Sequence, residues 1–328
     1  MAKVARMYHH QGLTQIEIME RLNIHQSTVS RVLKRAEREG IIRVIVSAPS
    51  GTHPELEEAL QSTYGLEDAV VVDCAGDEDQ IVRDLGAAAA FYLEATLKQS
   101  DVVGVSAWSA SLLAMVNAMR PSQRFKNTRV IQILGGLGSP NAEVHAAQVT
   151  RRLADLIGGK ATLLPAPGVV GSRSARDVLM TDRFVREALQ LFPKVTLALV
   201  GIGATEPSRA LASSGNAFSP REIDLLASKG AVGDICLRFF DAAGREVVTE
   251  LNDRVISMEL AQLCAVRRVV GVAGGRRKIG AIRGALAGKL VKVLITDLAS
   301  AQELLAEGVA VEAGANHRAA PKGVVRAR

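Results

Sequence analysis

The stretch TQIEIMERLNIHQSTVSRVLKRA, residues 14–36, predicts two short helices joined by a tight turn. Thr14 is followed three residues later by Glu17, which is the spacing of a capping box at a helix N-terminus. Apolar residues then recur at helical spacing and predict the inward face of the first helix: Ile16, Met19 and Leu22. Asn23 and Ile24 leave room only for a short connection. The pattern as a whole is typical of a helix-turn-helix.

The second helix of this pair is expected to present a polar and basic face. It begins near Gln26 and ends at Gly40, and its predicted inward positions are Val29, Val32, Leu33 and Ala36. The residues left outside are Gln26, Ser27, Thr28, Ser30, Arg31, Lys34 and Arg35. Short hydroxyl and amide side chains can reach base edges in the major groove, and long cations can reach phosphates or guanine. We interpret these residues, with Thr14, as DNA contacts.

The charge of the N-terminal region agrees with this interpretation. Residues 1–53 contain eight Lys and Arg against four Glu, a net charge of +4 out of +6 for the whole chain. A basic face favours a polyanionic partner. A small helical bundle with a merely solvated face is the alternative. The run over residues 41–46 is interpreted as a wing-like strand.

The rest of the chain alternates short apolar runs with helical patterns. The runs cover residues 69–72, 102–105, 130–134, 161–164, 195–200, 269–273 and 291–296. The helical patterns cover residues 55–64, 79–97, 112–119, 142–157, 175–191, 221–227, 278–287 and 300–307. This alternation predicts an α/β domain with a Rossmann-like parallel sheet covered on both faces. We therefore expect a DNA-binding domain over 1–53, a large α/β domain over 54–313 and a basic, disordered tail over 314–328.

Composition excludes several classes of protein. Aromatic residues make up only 3% of the chain, which argues against a single-strand nucleic-acid platform built on stacking rings. The three cysteines, Cys74, Cys236 and Cys264, lack metal-ligand or disulfide spacing. No apolar run reaches ~18 residues, and the N-terminus lacks the pattern of a secretory signal. We expect a cytoplasmic protein without a cofactor, a metal or a membrane segment.

Three loops rich in small residues follow predicted strands, where ligands bind in open α/β sheets. The candidate ligand contacts in or beside the first two are Gly104, Ser106, Ser109, Ser111, Gln132, Gly135, Gly136 and Asn141. The third loop is Gly201-Ile202-Gly203. Hydroxyls and free N–H groups at a helix start suit a phosphate. Each loop alone is equally well explained as a turn that requires glycine.

Several segments together resemble one family, in order and spacing, over about residues 4–310. They include residues 4–46, LEEALQSTYGLEDAVVV (56–72), GVSAWSASL (104–112), QILGGLG (132–138), VGIGA (200–204), GAVGDICLRFFDAAG (230–244), LNDRVISM (251–258), VAGGRRKIGAIRGAL (272–286) and VKVLITD (291–297). The chain resembles the SorC/DeoR-type sugar-binding transcriptional regulators. The resemblance implies a C-terminal domain similar to the sugar-phosphate isomerase and glucosamine-6-phosphate deaminase fold. It also implies a homo-oligomer, usually a tetramer, that binds double-stranded operator DNA and a phosphorylated sugar effector.

The resemblance adds two charged site residues. It implies that Asp234 holds sugar hydroxyls and that Lys278 meets the phosphate. The chain departs from the family pattern after Trp108, where Gly and, two positions later, Thr are expected. Here those positions are Ser109 and Ser111. Ser111 keeps the hydroxyl, whereas Ser109 adds bulk and a donor where the backbone should approach the effector.

Two alternatives remain beside a ligand-responsive regulator. One is a sugar-phosphate isomerase or deaminase with an attached DNA-binding head, in which Asp234 would be the general base. The other is an architectural DNA-binding protein without an effector. Activity on sugar phosphates would indicate the first, and the lack of any response to them would indicate the second.

Overall fold

The computed structural model describes residues 1–9, 11, 13–39, 53–74, 76–106, 108–122, 124–136, 140–206 and 218–306. The side chains of residues 9, 37–38 and 140–148 are outside this description. The chain divides into two compact units, Met1–Pro49 and Ser50–Arg328. Gly40, the wing-like strand interpreted over 41–46 and the tail over 314–328 lie outside the described residues.

The first unit is helical, as the sequence predicts. Its helices are α1 (Ala2–His9), α2 (Gln15–Leu22) and α3 (Gln26–Arg38). The Thr14 hydroxyl accepts from the Glu17 N–H at 3.3 Å, and the Glu17 carboxylate accepts from the Thr14 N–H at 2.7 Å. Asn23 ends α2 in the left-handed region, with φ of 51°. The predicted capping box and tight turn are therefore both confirmed.

One expectation about the core of this unit is wrong. Ile18 is fully buried, whereas Ile16 has 53% of its surface exposed. The two residues lie about 200° apart around the axis of α2, since each residue of an α-helix turns the chain by about 100°. The face that packs on the rest of the unit therefore contains Ile18, with Met19 and Leu22 partly buried beside it.

The second unit is built on a seven-stranded sheet in which every pair of neighbours is parallel. Its strands are β1 (Asp68–Val72), β2 (Val102–Val105), β3 (Arg129–Gln132), β4 (Lys160–Thr162), β5 (Leu197–Gly201), β9 (Arg268–Val272) and β10 (Val293–Asp297), in the spatial order β1-β10-β9-β5-β2-β3-β4. The helices are α4 (Pro54–Tyr64), α5 (Glu78–Thr96), α6 (Ala110–Ala118), α7 (Pro140–Ile157), α8 (Arg173–Thr181), α9 (Arg183–Leu189), α10 (Pro220–Ser228), α11 (Leu260–Ala265), α12 (Ile279–Ala287) and α13 (298–306). Two large apolar clusters contain side chains that point to opposite sides of the strands. The predicted α/β class is confirmed.

The structure differs from the sequence prediction over residues 175–191, where one helix was expected. The chain turns at Asp182 between α8 and α9, and Asp182 Oδ1 accepts from the N–H groups of Phe184 and Val185. Asp182 caps the N-terminus of α9, so a second helix starts there and α8 ends.

A second, three-stranded antiparallel sheet was not predicted. It consists of β6 (Gly203–Ala204), β7 (Ala231–Ile235) and β8 (Arg238–Asp241), with β7 in the middle. Its strands have two to five residues, too few for a clear alternation of polar and apolar positions. This small sheet matters because it forms one side of the site described below. No helix among the described residues is long and apolar enough to cross a membrane.

Candidate effector cleft and DNA-contacting helix

A cleft opens beyond the carboxyl ends of β2 and β5, and the small antiparallel sheet forms one of its sides. Its lining includes Ser106, Trp108, Ser109, Leu134, Gly201, Gly203, Glu206, Asp234, Cys236, Leu237, Arg277 and Lys278. Four candidate ligand contacts from the sequence thus lie around one space: Ser106, Ser109, Asp234 and Lys278. The position agrees with the rule that ligands bind at the carboxyl ends of parallel strands.

Asp234 is the half-buried carboxylate of this cleft. Its Oδ2 accepts from the Leu237 N–H at 2.9 Å. Burial raises the pKa of Asp234 to about 6, and the Leu237 hydrogen bond and the positive charge of Lys278 oppose that rise. A Cβ atom on Gly203 would clash with Asp234 Oδ1. Gly203 is therefore the neighbour that leaves room for this carboxylate.

Lys278 enters the cleft from a short 3₁₀ turn, Arg276–Lys278, that follows β9. Burial lowers the pKa of Lys278, and the Asp234 carboxylate opposes that change. Asp297 holds the start of the turn, because its Oδ2 accepts from the Gly275 N–H at 2.7 Å and from the Ser300 hydroxyl at 2.6 Å. Asp297 therefore positions the cationic turn instead of lining the cleft.

Ser109 and Trp108 also line the cleft. Ser109 is the N-cap of α6, and its hydroxyl accepts from the Leu112 N–H at 3.3 Å. A Cβ atom on Gly201 would lie 2.6 Å from this hydroxyl, so Gly201 leaves room for Ser109. The Trp108 indole N–H donates to the Gly135 carbonyl at 2.9 Å. Gly201 and Gly203 of the third loop thus leave room for the side chains of Ser109 and Asp234, respectively.

The turn between β7 and β8 was missed by sequence reasoning. Cys236 and Leu237 both have positive φ, 57° and 59°, in a two-residue hairpin turn that usually contains Asn, Asp or Gly. Both residues line the cleft. Burial raises the pKa of Cys236 to about 12, although a hydrogen bond with Ser106 opposes this, so the thiol stays protonated at neutral pH. No sequence motif predicts positive φ at Cys236 and Leu237.

Five other candidate contacts are not among the cleft-lining residues: Gly104, Ser111, Gln132, Gly135 and Gly136. The polar groups of three of them are occupied within the fold. The Gln132 side-chain amide donates to the Leu134 carbonyl at 2.8 Å. The N–H groups of Gly135 and Gly136 donate to the carbonyls of Ile256 and Ala166. In this structure these donors therefore bond to backbone carbonyls of the fold.

The remaining two are packed inside the domain. A Cβ atom on Gly104 would lie 2.9 Å from the Ile133 side chain, so this glycine serves close packing under the sheet. Ser111 is 2% exposed within α6. The side chain of Asn141, the last candidate in this group, lies outside the described residues.

Helix α3 presents most of the predicted DNA contacts to solvent. The exposed residues are Gln26, Ser27, Arg31, Lys34 and Arg35, whereas Thr28 and Ser30 are half-buried. Arg35 is paired with Glu39 at 2.6 Å in the same turn, while an Arg31 guanidinium nitrogen is 3.5 Å from the Thr28 hydroxyl. Thr14 is exposed, and its hydroxyl belongs to the capping box of α2. Among the described residues, no cluster of His, Cys, Asp or Glu could hold a metal ion.

A helix-turn-helix head and a cleft-bearing α/β domain define the class of ligand-responsive transcription regulators. The family described as "Putative sugar-binding domain" matches residues 50–306, and the MarR family matches residues 5–51. The chain is 34% identical to the deoxyribonucleoside regulator of Bacillus subtilis (strain 168), over 92% of this chain and 96% of that protein. It is 31% identical to the transcriptional regulator LsrR of Klebsiella pneumoniae subsp. pneumoniae, over 93% of this chain and 92% of that protein.

Solved structures agree with these matches. The crystal structure of the full-length sorbitol operon regulator SorC from Klebsiella pneumoniae superimposes with a TM-score of 0.72 at 27% identity, covering 92% of this chain and 97% of that one. The chain belongs to the SorC/DeoR-type family of sugar-binding transcriptional regulators. These relatives are named as regulators and not as enzymes, so the isomerase or deaminase alternative is not favoured.

Proposed function

We propose that the cleft binds a phosphorylated sugar and that this binding controls the affinity of the protein for operator DNA. The observation that carries the proposal is that a carboxylate, Asp234, and an ammonium group, Lys278, line the same cleft and influence each other electrostatically. A carboxylate accepts hydrogen bonds from sugar hydroxyls, and an ammonium group offsets the charge of a phosphate. The hydroxyls of Ser106 and Ser109, which line the same cleft, supply further donors.

The DNA would be bound through α3. Its exposed amide, hydroxyl and cationic side chains suit the major groove and the flanking phosphates. Thr14 would act from the N-terminus of α2, where a side chain can lie near the DNA backbone. Residues 1–53 would form the DNA-binding domain, and residues 54–313 would bind the effector and form a homo-oligomer, with residues 314–328 as a basic tail.

Three finer points rest on the family resemblance. The large domain would share the fold of sugar-phosphate isomerases and deaminases, with the cleft used for sensing instead of catalysis. The homo-oligomer would be a tetramer, so that pairs of recognition helices lie about one DNA turn, or a multiple of it, apart. The protein would act in the cytoplasm, where sugar phosphates are present.

Fluorescence of Trp108 provides a direct test, because this is the only tryptophan in the sequence and it lines the cleft. The protein would be titrated with ribose 5-phosphate, 2-deoxyribose 5-phosphate, fructose 6-phosphate and sorbitol 6-phosphate, each beside its unphosphorylated sugar. We expect saturable changes with at least one phosphorylated compound and weak or no changes with the sugars. The deoxy compound is included because a relative is named a deoxyribonucleoside regulator.

The same compounds would then be added to the protein bound to DNA from its own promoter region. An effector that shifts operator affinity by about 5–150-fold would correspond to a typical coupling between two sites. If none of the phosphorylated compounds binds, the proposed effector class is wrong. If one of them is converted to a product at a useful rate, the enzyme alternative returns.

A further inference from the structure

The 3₁₀ turn that follows β9 presents a second cation to the cleft. Arg277 and Lys278 both line it, whereas Arg276 is exposed and is not among the lining residues. Gly275 begins the turn with φ of 90°, and its N–H is held by the buried Asp297 carboxylate. The two cleft cations therefore sit on a turn that is fixed at its base.

The two cations differ in the charges that surround them. Lys278 is half-buried, and the Asp234 carboxylate beside it offsets part of its charge. Arg277 has a side chain that is 44% exposed, and a guanidinium group keeps its charge in proteins. Much of the positive charge available to an incoming anion therefore belongs to Arg277.

Arg277 has only a weak counter-ion inside the protein. Within the described part of the chain, the carboxylate that pairs with its guanidinium is that of Glu78, in the first turn of α5. The two groups are 4.0 Å apart, which is too far for a hydrogen bond, and the Glu78 side chain is 60% exposed. Solvated ion pairs of this kind contribute little to stability, so the pair can separate at small cost.

We propose that Arg277 is a second anion-binding, specificity-determining residue of the cleft, and that Glu78 is its counter-ion until the effector's phosphate replaces it. This inference rests on the proposed function, because it concerns the anion of the same effector. A guanidinium group presents parallel N–H donors that match two oxygens of a phosphate. Arg277 thus selects the phosphorylated form of a sugar over the free sugar.

The test uses four variants of the full-length protein: R277Q, E78Q, the R277Q/E78Q double variant and R276Q. R276Q is the matched control, since it removes the same charge one residue away, outside the cleft. The probes are inorganic phosphate, the sugar phosphate that binds the wild type most tightly among the four above, and its free sugar. Binding is followed by Trp108 fluorescence, and circular dichroism checks that each variant is folded.

We expect R277Q to weaken binding of the sugar phosphate and of inorganic phosphate about tenfold or more, while the weak signal of the free sugar stays as in the wild type. E78Q should strengthen phosphate binding about two- to fivefold, and this gain should disappear in the double variant. R276Q should bind like the wild type. This combination of results would support both the anion-binding role of Arg277 and the counter-ion role of Glu78.

Other outcomes would overturn these roles in a recognisable way. Sugar phosphate binding that is the same in R277Q and in the wild type removes Arg277 from the anion site and leaves the proposed function standing. An equal gain from E78Q with and without Arg277 would assign the effect of Glu78 to Lys278, whose pKa it also raises. A wild-type protein that binds none of the four sugar phosphates rejects the proposed function itself.

Discussion

The carboxyl group of Asp234 destabilises the fold at neutral pH, and in the proposed function it accepts hydrogen bonds from the effector. Burial raises its pKa from 3.8 to about 6, so ionisation is less favourable in the folded protein than in the unfolded chain. Below the unfolded pKa both states are protonated, and the group has no effect on the pH dependence of stability. Between about pH 4 and pH 6 the unfolded chain loses this proton before the folded protein does, so the folded state is progressively destabilised, and the loss stays constant at higher pH.

We therefore expect Asp234→Asn to stabilise the large unit at pH 7.5. The gain should be on the order of 2 kcal/mol in the free energy of unfolding and should shrink towards zero at about pH 4. Asparagine still offers an oxygen to the Leu237 N–H, so the turn should persist. Urea unfolding followed by Trp108 fluorescence at the two pH values measures this difference. A variant no more stable than the wild type at pH 7.5 would contradict the assigned cost.

Gly203 determines the room available to the Asp234 carboxylate, because it has no side chain at the point of contact. In Gly203→Ala, the new Cβ would clash with Asp234 Oδ1, so the carboxylate must move. We expect effector affinity to fall about tenfold or more, as for loss of a hydrogen bond to a charged group. Gly171→Ala is the control, since nothing lies within 4 Å of its added Cβ. Equal effects of the two substitutions would show that the loss does not arise at Asp234.

Helix α3 presents Arg31 and Arg35 to solvent, and the two guanidinium groups have different partners. Arg35 is paired with Glu39 at 2.6 Å, whereas the guanidinium of Arg31 lies 3.5 Å from the Thr28 hydroxyl. An arginine that has already formed an ion pair must give it up or share it when it meets a phosphate. Arg31 has no such competitor among the contacts that the structure describes.

Arg31→Ala should accordingly weaken operator binding more than Arg35→Ala. Removing a hydrogen bond between Arg31 and a base would cost about 1–3 kcal/mol, or roughly 5–150-fold in affinity. Electrophoretic mobility shifts at several salt concentrations would measure both variants against operator and unrelated DNA. Effector affinity should stay unchanged in both. A parallel loss of effector binding would instead indicate misfolding, and a larger effect at Arg35 would reverse the assignment.

The sequence predicts those helices and strands whose pattern lies within a short stretch of chain. The capping box at Thr14 and the continuous apolar runs of the large sheet have strong patterns, and both were confirmed. The turn at Cys236 and Leu237 could not be predicted, because these residue types rarely adopt positive φ. The hydrogen-bond partners of Gln132 and Gly135 could not be predicted either, because the sequence does not show which acceptor lies beside a buried amide or backbone N–H. Only the folded chain shows that these groups hydrogen-bond to backbone carbonyls.

The proposed function couples two units of the chain that recognise different ligands. Such coupling is reciprocal for binding free energies. If the effector changes operator affinity by some factor, the operator must change effector affinity by the same factor. The direction of the change is the same on both sides and does not depend on whether the protein activates or represses.

Lys278→Ala should separate the two activities. We expect it to abolish the effector response while leaving operator affinity in the absence of effector within about twofold, because Lys278 and the helix-turn-helix belong to different compact units. In the wild type, effector titrations with and without operator DNA should give affinities whose ratio equals the effector-induced change in operator affinity. Unequal ratios, or operator binding lost in Lys278→Ala, would argue against coupled sites on the two units.

The order of strands in the large sheet has a consequence for how the protein is made. β1 lies at one edge and pairs only with β10, where Asp68 aligns with Val293. During synthesis, more than 200 residues are therefore added after β1 before its partner β10 leaves the ribosome. Contacts of such long sequence separation form late and slow folding, and an unpaired apolar strand invites aggregation meanwhile. If translation stops before β10, the N-terminal unit still has its complete apolar cluster. The large unit, in contrast, lacks the strand that pairs with β1.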